Sequence, residues 1–394
     1  MSTEVFVCEG ARTPFGEFGQ SLRDISAIDL GVIAARGAMR KSGIKPEHID
    51  HVVMGNATQT SADALYGARH VGLKAGLPIT TPALTVNRIC GSGLQAIISG
   101  AQFIQLGEAE VVLAGGMENM SQTPHVIRGA RWGLSLGQAP MEDALWAALT
   151  DPFCGMNMAQ TAEKLAEQYG LTRQEVDEYA LRSFNAAKNA QQKCWLSAEI
   201  EPIEVPLKKG ETRKLEHDEH IRDTSLEQLA KLRPVFKKDG VVTAGNASGI
   251  NDGAAAVILA SDKAAAQHGL KVLGRLVSYG IAGVQPEIMG IGPVDAIKTA
   301  LAKAKLVLDD LDLVEINEAF SSQYLACEKA LGLPREKCNV NGGAIAIGHP
   351  LGASGARITL TLLYEMKRRQ ARYGVASLCI GGGQGIAAIY ERVN

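Results

Sequence analysis

The segment KSGIKPEHIDHVVMGN at 41–56 returns, in pattern, as KAKLVLDDLDLVEINE at 303–318. Lys41 falls on Lys303 and Asp50 on Asp312, a constant offset of 262 residues. Both copies follow an alanine-rich run with helical spacing, IAARGAMRK or AIKTALAKA, so both read as helix, short loop and strand. Ser92-Gly93 and Ser354-Gly355 keep the offset, and each pair opens a second helical run, LQAIISGAQFIQLG or ARITLTLLYEMKRR. Each run leads to a strand ending in glycines, VVLAGG at 111–116 and ASLCIGGG at 376–383. Matching Gly116 to Gly382 stretches the offset from 262 to 266, which implies a second loop four residues longer. A duplicated strand–helix–strand unit demands two similar α/β halves, each with a largely parallel sheet.

Between the copies, roughly 121–250 breaks the pattern and carries charged loops such as PLKKGETRKLEHDEHIRDTSLEQLAKLRPVFKKDG. Residues 159–191 read as a helix interrupted at Gly170, with Thr172 and Glu175 placed as a capping box for its second part. An insertion of this length in a compact protein reads as a lid or loop domain rather than a spacer. The whole chain, 394 residues with 46% apolar and 21% charged, has room for two or three domains and an ordinary folded balance. No apolar run reaches the ~20 residues of a membrane helix. The opening MSTEVFVCEGARTPFG lacks the basic-then-apolar order of a secretory signal. A net charge of −2 argues against a nucleic-acid or anionic-membrane partner. The seven cysteines are odd in number and scattered, so free thiols in a reducing cytoplasm are expected. Without a Cys-x-x-Cys pair or an HExxH, no metal site is expected, and the simplest NTPase and serine-hydrolase motifs are absent too.

The unusual side chains fall at equivalent places in the two copies. Cys90 follows TVNRI, which reads as a strand, and precedes the Gly-Ser-Gly that starts a helix. His349, in NGGAIAIGHPLGASGA, stands just ahead of the matching helix. Cys379 ends the next strand before Gly381-Gly382-Gly383, and Asn317 ends the strand matching 52–54. Open α/β sheets build their sites at such strand ends. A thiol at a helix N-terminus meets free N–H groups and the positive dipole end, which favour thiolate and lower the pKa from about 8.5. Small neighbours leave the sulfur open to attack a carbonyl and free backbone N–H groups to hold an oxyanion. Cys90 is therefore expected to be an activated nucleophile, with His349 as its candidate base. The remaining cysteines (8, 154, 194, 327 and 338) read as structural, and the histidines at 48, 51, 70, 125, 217, 220 and 268 read as surface or loop residues. Gly91-x-Gly93-x-x-Ala96 with Glu118 imitates a dinucleotide fingerprint, but a cysteine occupies the turn and the repeat partner offers a histidine in place of a glycine triad.

The longer motifs carry a resemblance. NRICGSGLQA, GGMENMS, TAGNASGINDGAAA, EINEAF, NVNGGAIAIGHPLGASGARI and CIGGGQGIA resemble those of thiolases, acetyl-CoA C-acyltransferases, in order and along essentially the whole chain. DALYGARHVGL, SLEQLAKLRPVFKKDG and IMGIGPV resemble the degradative 3-ketoacyl-CoA members in particular. The resemblance implies an α/β fold of two similar halves in five layers (αβαβα) with a loop domain. The first half would span 1–120 plus 250–272, completed by the strand AAAVILAS; the loop domain 121–249; and the second half 273–394.

It also implies roles. Cys90 would be acylated, and His349 would activate it and later deprotonate CoA. Cys379 would exchange a proton with the α-carbon of acetyl-CoA. Asn317 would hold a water that stabilises the enolate together with His349. The N–H groups of Cys90 and Gly381 would form the other oxyanion hole. Met158, Arg222, Phe236, Ala244, Ser248, Ala319 and Phe320 would line the CoA channel. CoA would be a substrate, with no resident cofactor, and the reaction would be ping-pong Claisen cleavage in fatty-acid β-oxidation. The alternative is a biosynthetic acetoacetyl-CoA thiolase, the same chemistry in reverse. Asn157 stands where acetoacetyl-specific members typically carry histidine, which argues against a short-chain-only specificity. More distant rivals are a decarboxylating ketoacyl synthase, which needs no second cysteine, and a non-catalytic lipid-binding scaffold. The family forms dimers or dimers of dimers, and SQTPHVIRGARWG at 121–133 is placed like the loop joining dimers into a homotetramer.

Overall fold

The structure, a computed structural model, describes residues 3–137, 139–206 and 210–393. The outermost residues of the two expected halves (1, 2 and 394) and positions 138 and 207–209 of the expected insertion lie outside the described residues. The first half runs β1 (Val5–Arg12), α1 (Ala27–Ser42), β2 (His51–Gly55), α2 (Gly67–Ala75), β3 (Ala83–Val86), α3 (Ser92–Gln105) and β4 (Val111–Asn119). The chain then leaves the sheet, forms α4 (Met158–Gln168) and α5 (Arg173–Gln192), and returns as β5 (Asn251–Ser261). The second half runs β6 (Gly274–Gly283), α6 (Gly292–Ala304), β7 (Leu313–Ile316), α7 (Ser321–Leu331), α8 (Leu351–Arg369), β8 (Tyr373–Ile380) and β9 (Gln384–Arg392). The expected break at Gly170 separates α4 from α5, and Thr172 and Glu175 form the capping box of α5.

The strands follow the order β7-β8-β9-β6-β1-β5-β4-β2-β3, with Gly16–Glu17 as a tenth strand against β5. The sheet is mixed, which corrects the parallel expectation. Pairing is parallel between β2 and each of β3 and β4, and between β7 and β8. It is antiparallel from β4 through β5 to β1, and from β8 through β9 to β6. The reason lies in the connections. Parallel neighbours need a crossover helix, whereas β8 turns straight back into β9 through Gly382 and Gly383, at φ 81° and 83°.

The ladders also correct the repeat. His51 pairs with Val112 and Leu313 with Gly374, so the steps from 51 to 313 and from 112 to 374 are both 262 residues. The two glycine runs are therefore not counterparts. Gly115 and Gly116 answer to Ser377 and Leu378, and no longer loop intervenes.

Three cores separate five layers. One holds α1 against the first half's strands, a second holds α6 and α7 against the second half's strands, and the third holds α3 and α8 between the two sheet faces. Every residue of α8 from Leu351 to Leu363 is buried, as a helix covered on all sides must be. The conserved offset of the two Ser-Gly pairs has a packing cause. A Cβ on Gly93 would lie 2.7 Å from the Gly352 carbonyl oxygen, and one on Gly355 would strike the Leu94 nitrogen. The central helices therefore cross backbone to backbone, and both N-termini meet at the same place.

Candidate active site

TVNRI is not one strand. β3 stops at Val86, and Ile89–Gly91 forms a single tight turn ahead of α3. Ile89 has φ 47°, a costly left-handed conformation for a β-branched residue. The turn is held from several sides. The Ser92 hydroxyl donates to the Ile89 carbonyl at 2.6 Å and accepts from the Arg88 N–H at 2.8 Å. Asn87 Oδ1 accepts from the Ile89 N–H, and the Arg88 guanidinium reaches Gln95 and, in the other half, Gln384. A Cβ on Gly91 would lie 2.7 Å from Ile380 Cδ1, so only glycine lets this turn press on the end of β8. That contact brings the Gly381 N–H onto the Cys90 sulfur.

The expected acidification of Cys90 is reversed. Burial pushes the thiol up to about 11, and the charge of Glu118 adds to it, while the N–H groups of Gly381 and of Cys90 itself pull the other way. Helix-end donors lower a thiol pKa only when they outweigh lost hydration, and here Met120, Leu145, Leu149 and, from the other half, Leu351 cluster around Cys90. Cys379, at the end of β8, is pushed well above the ordinary thiol range by burial and then by the charge of Cys90 beside it. Its side chain packs with Met289 and Ala319, flanked by Met158 and Phe320. His349 is pulled down to about 3, first by burial and then by the positive charge of Arg357. The resting site therefore holds neutral thiols and a neutral imidazole. His349 Nδ1 lies 2.6 Å from Ser354 Oγ, Asn317 Nδ2 lies 3.3 Å from Nε2, and the His349 N–H donates to Asn251 Oδ1 at 3.2 Å.

Two cavities meet at this point. His349, Phe236, Ser248 and Phe320 face one of about 360 Å³; Cys90 and Gly381 face the other, of about 260 Å³. Leu149, Met158 and Leu351 belong to both walls. The sulfur and the imidazole thus face neighbouring cavities that share Leu149, Met158 and Leu351 as walls. Apolar walls with a few converging polar atoms are the usual form of a small-molecule site.

Met158 is the first residue of α4, set by the Asn157–Gln160 capping box. The Ser248 N–H donates to the Ala319 carbonyl at 2.9 Å, which ties two expected channel residues together, and the Phe236 ring stacks on Trp146. Of the expected residues, Arg222, Ala244, Ala319, Asn317 and Cys379 are not brought into the wall of either cavity. Arg222 lies over the Phe184 ring at 5.4 Å and reaches Glu17, while Ala244 is exposed and Ala247 lines the wall in its place.

Sequence reasoning missed Glu118 and Ser354. Glu118 is fully buried and accepts from Asn56 Nδ2, the Ala57 and Thr58 N–H groups, the Thr58 hydroxyl and the Gly352 N–H. It joins the end of β2 to the start of α8. Its signal was present as a carboxylate closing the apolar run VVLAGGM. Among the described residues no group of three or more His, Cys, Asp or Glu side chains is placed to hold a metal ion.

Comparison with known proteins places this geometry. The family descriptions "Thiolase, N-terminal domain" and "Thiolase, C-terminal domain" match residues 5–263 and 270–392. The chain is similar to mitochondrial 3-ketoacyl-CoA thiolase of Homo sapiens, 54% identical over 389 residues and 98% of each protein. It is also similar to beta-ketothiolase BktB of Cupriavidus necator, 48% identical over 395 residues and all of both proteins. Among solved structures, human mitochondrial 3-ketoacyl-CoA thiolase in complex with CoA superposes with a TM-score of 0.96 at 53% identity, covering 99% of this chain and 98% of that one.

Proposed function

The chain belongs to the thiolase family and is an acyltransferase, and from that premise we infer that it catalyses the CoA-dependent cleavage of 3-ketoacyl-CoA to acetyl-CoA and a shortened acyl-CoA. The observation that carries the reading is the meeting of Cys90 with the Gly381 N–H and Cys379 from the other half, next to the cavity that His349 faces.

His349 takes the Cys90 proton, and the thiolate attacks the 3-keto carbon while the Cys90 and Gly381 N–H groups hold the oxyanion. The C2–C3 bond breaks, the acyl group stays on Cys90, and Cys379 protonates C2 of the acetyl-CoA enolate. The proton on His349 passes to Cys379 and resets both groups. His349 then takes the thiol proton of incoming CoA, whose sulfur displaces Cys90, and the proton returns to Cys90. A carbanion beside a thioester is a poor leaving group, so donors preorganised at the enolate oxygen, from Asn317 and His349, make the largest contribution. Capture on sulfur divides the difficult step in two. No resident cofactor takes part; CoA is a substrate, held along Met158, Phe236, Ser248, Ala319 and Phe320, with Arg222 and Ala244 nearer the outside.

The similarity to beta-ketothiolase supports the reverse, condensing direction as a second reading of the same site. Thiolysis of 3-ketoacyl-CoAs of graded length, run beside acetyl-CoA condensation, separates the two. Division of the sulfurs' labour is tested by intact-protein mass after mixing with acyl-CoA. Cys90→Ser is expected to gain no acyl mass. Cys379→Ala is expected to gain it at Cys90 yet cleave no carbon–carbon bond. Acylation of the first variant, or cleavage by the second, refutes the assignment.

The division into 1–120 with 250–272, 121–249 and 273–394 is supported by the antiparallel return of β5 beside β4. A homo-oligomer, dimer or dimer of dimers, is supported by β3 as an unpaired edge with Leu84 exposed, and by exposed Trp132, Leu134 and Leu136 in the segment expected to join dimers. No helix among the described residues is long and apolar enough to cross a membrane. The cytoplasmic placement rests on seven cysteines that are all free, a reducing compartment's pattern.

A further inference from the structure

We propose that Ser354 is the positioning residue that sets the tautomer of His349, accepting a hydrogen bond from Nδ1–H so that the Nε2 lone pair is the one presented to the pocket. The geometry stands by itself; what the lone pair is used for rests on the function inferred above. Ser354 Oγ lies 2.6 Å from His349 Nδ1 and donates to the Pro350 carbonyl at 2.8 Å. A serine hydroxyl has one proton and two lone pairs. With the proton directed at Pro350, the short contact to Nδ1 needs its proton from the ring.

The duplication supports the same polarity. Ser92 is the repeat mate of Ser354, at the start of the mate helix. Its hydroxyl likewise donates to a preceding carbonyl, that of Ile89, and its lone pair accepts the N–H of Arg88, four residues back. Four residues before Ser354 stands Pro350, which has no N–H to give. The second copy therefore has the same acceptor without its backbone donor, and the imidazole of His349 takes the position. Proline has converted a structural serine into a support for the base. Asn317 Nδ2 stands beside the ring, 3.3 Å from Nε2 and 3.5 Å from Nδ1, and does not by itself choose between the two nitrogens, which leaves the choice to Ser354. Burial of His349 keeps the ring neutral, so the choice of tautomer decides which nitrogen can accept.

The test is ¹⁵N–¹H correlation of the imidazoles in the intact protein near neutral pH, with His349 assigned by its loss in His349→Asn. The expected pattern is a protonated Nδ1 and a bare Nε2. A protonated Nε2 in the unsubstituted protein overturns the proposal whether or not the enzyme turns over 3-ketoacyl-CoA, so its failure is separate from failure of the functional reading. In Ser354→Ala the tautomer preference should be lost, with kcat down about 10²-fold, at the low end of a general base's contribution, and KM within about twofold. Retention of both the Nδ1–H tautomer and full kcat in that variant refutes the role. Should Ser354→Ala not fold, the spectrum of the unsubstituted protein alone decides.

Discussion

Replacing Glu118 by glutamine changes one atom and inverts half of a buried hydrogen-bond cradle. Oε1 accepts from Asn56 Nδ2 at 2.9 Å and the Thr58 N–H at 3.0 Å, as well as from the Thr58 hydroxyl. Oε2 accepts from the Ala57 N–H at 3.0 Å and the Gly352 N–H at 2.9 Å. Whichever way the amide turns, its NH₂ faces two groups that can only donate. Each buried donor left without an acceptor costs about 1–3 kcal/mol, so Glu118→Gln is expected to lose about 2–6 kcal/mol. Against a typical net stability of about 5–15 kcal/mol this is a large fraction. Urea unfolding at neutral pH, followed by tryptophan fluorescence, measures it. The variant also removes a negative charge that raises the Cys90 thiol, so the pH midpoint of Cys90 alkylation should move down. A stability change below about 0.5 kcal/mol would mean that the carboxyl is already protonated and that an amide replaces it without loss. An unchanged or higher alkylation midpoint would show that Glu118 does not act on the sulfur.

Two further tests address the core and the base. Gly116→Ala would drive a methyl into the Gly352 carbonyl oxygen, a backbone atom that cannot step aside, and should cost about 3 kcal/mol or more. Gly107→Ala, at φ 76° with no atom within 4 Å, should cost only about 1–2 kcal/mol, and equal losses in urea would refute the claim that the crossing is tight. For His349, the unfolded imidazole binds a proton below about pH 6.5, which the folded one refuses down to about 3. Stability from this residue is therefore full above that window and falls with pH through it, by about 1.4 kcal/mol per unit. Urea midpoints at pH 6 and 5 should fall less steeply for His349→Asn, and identical slopes would contradict the depressed value.

The duplication was legible because both copies kept their hydrophobic spacing, and spacing alone implied that Cys90, His349, Cys379 and Asn317 stand at matching strand ends. The glycine runs misled the register because glycine serves two purposes here. At Gly116 it makes room for a crossing helix; at Gly382 and Gly383 it makes a hairpin. Strand direction was hidden for the same reason, since a three-glycine turn and a long excursion both bring the next strand back antiparallel. The acidity of Cys90 could not be read from its neighbours in sequence, because the apolar side chains that cluster with it, Ala57, Met120, Leu145, Leu149 and Leu351, meet only in the fold. Glu118 was visible as an oddity, but its partners at 56–58 and 352 meet only in the fold. Ser354 looked like a helix-start residue, and only the fold shows that the place left by the N–H missing from Pro350 is taken by Nδ1 of His349.

The backbone crossing at Gly93 and Gly355 also limits how this molecule can work. Two rods in contact along their main chains, each clamped between stiff sheets, leave no hinge about which one lobe could swing from the other. The two half-reactions therefore share a frame that does not open. Exchange of the departing acetyl thioester for the arriving thiol has to occur as traffic through a fixed mouth, with motion confined to the excursion that walls it. Inheritance is constrained likewise: a bulkier residue accepted in one copy has to be answered in the other, so the two lobes can diverge at their tips while remaining mutual casts at their centre.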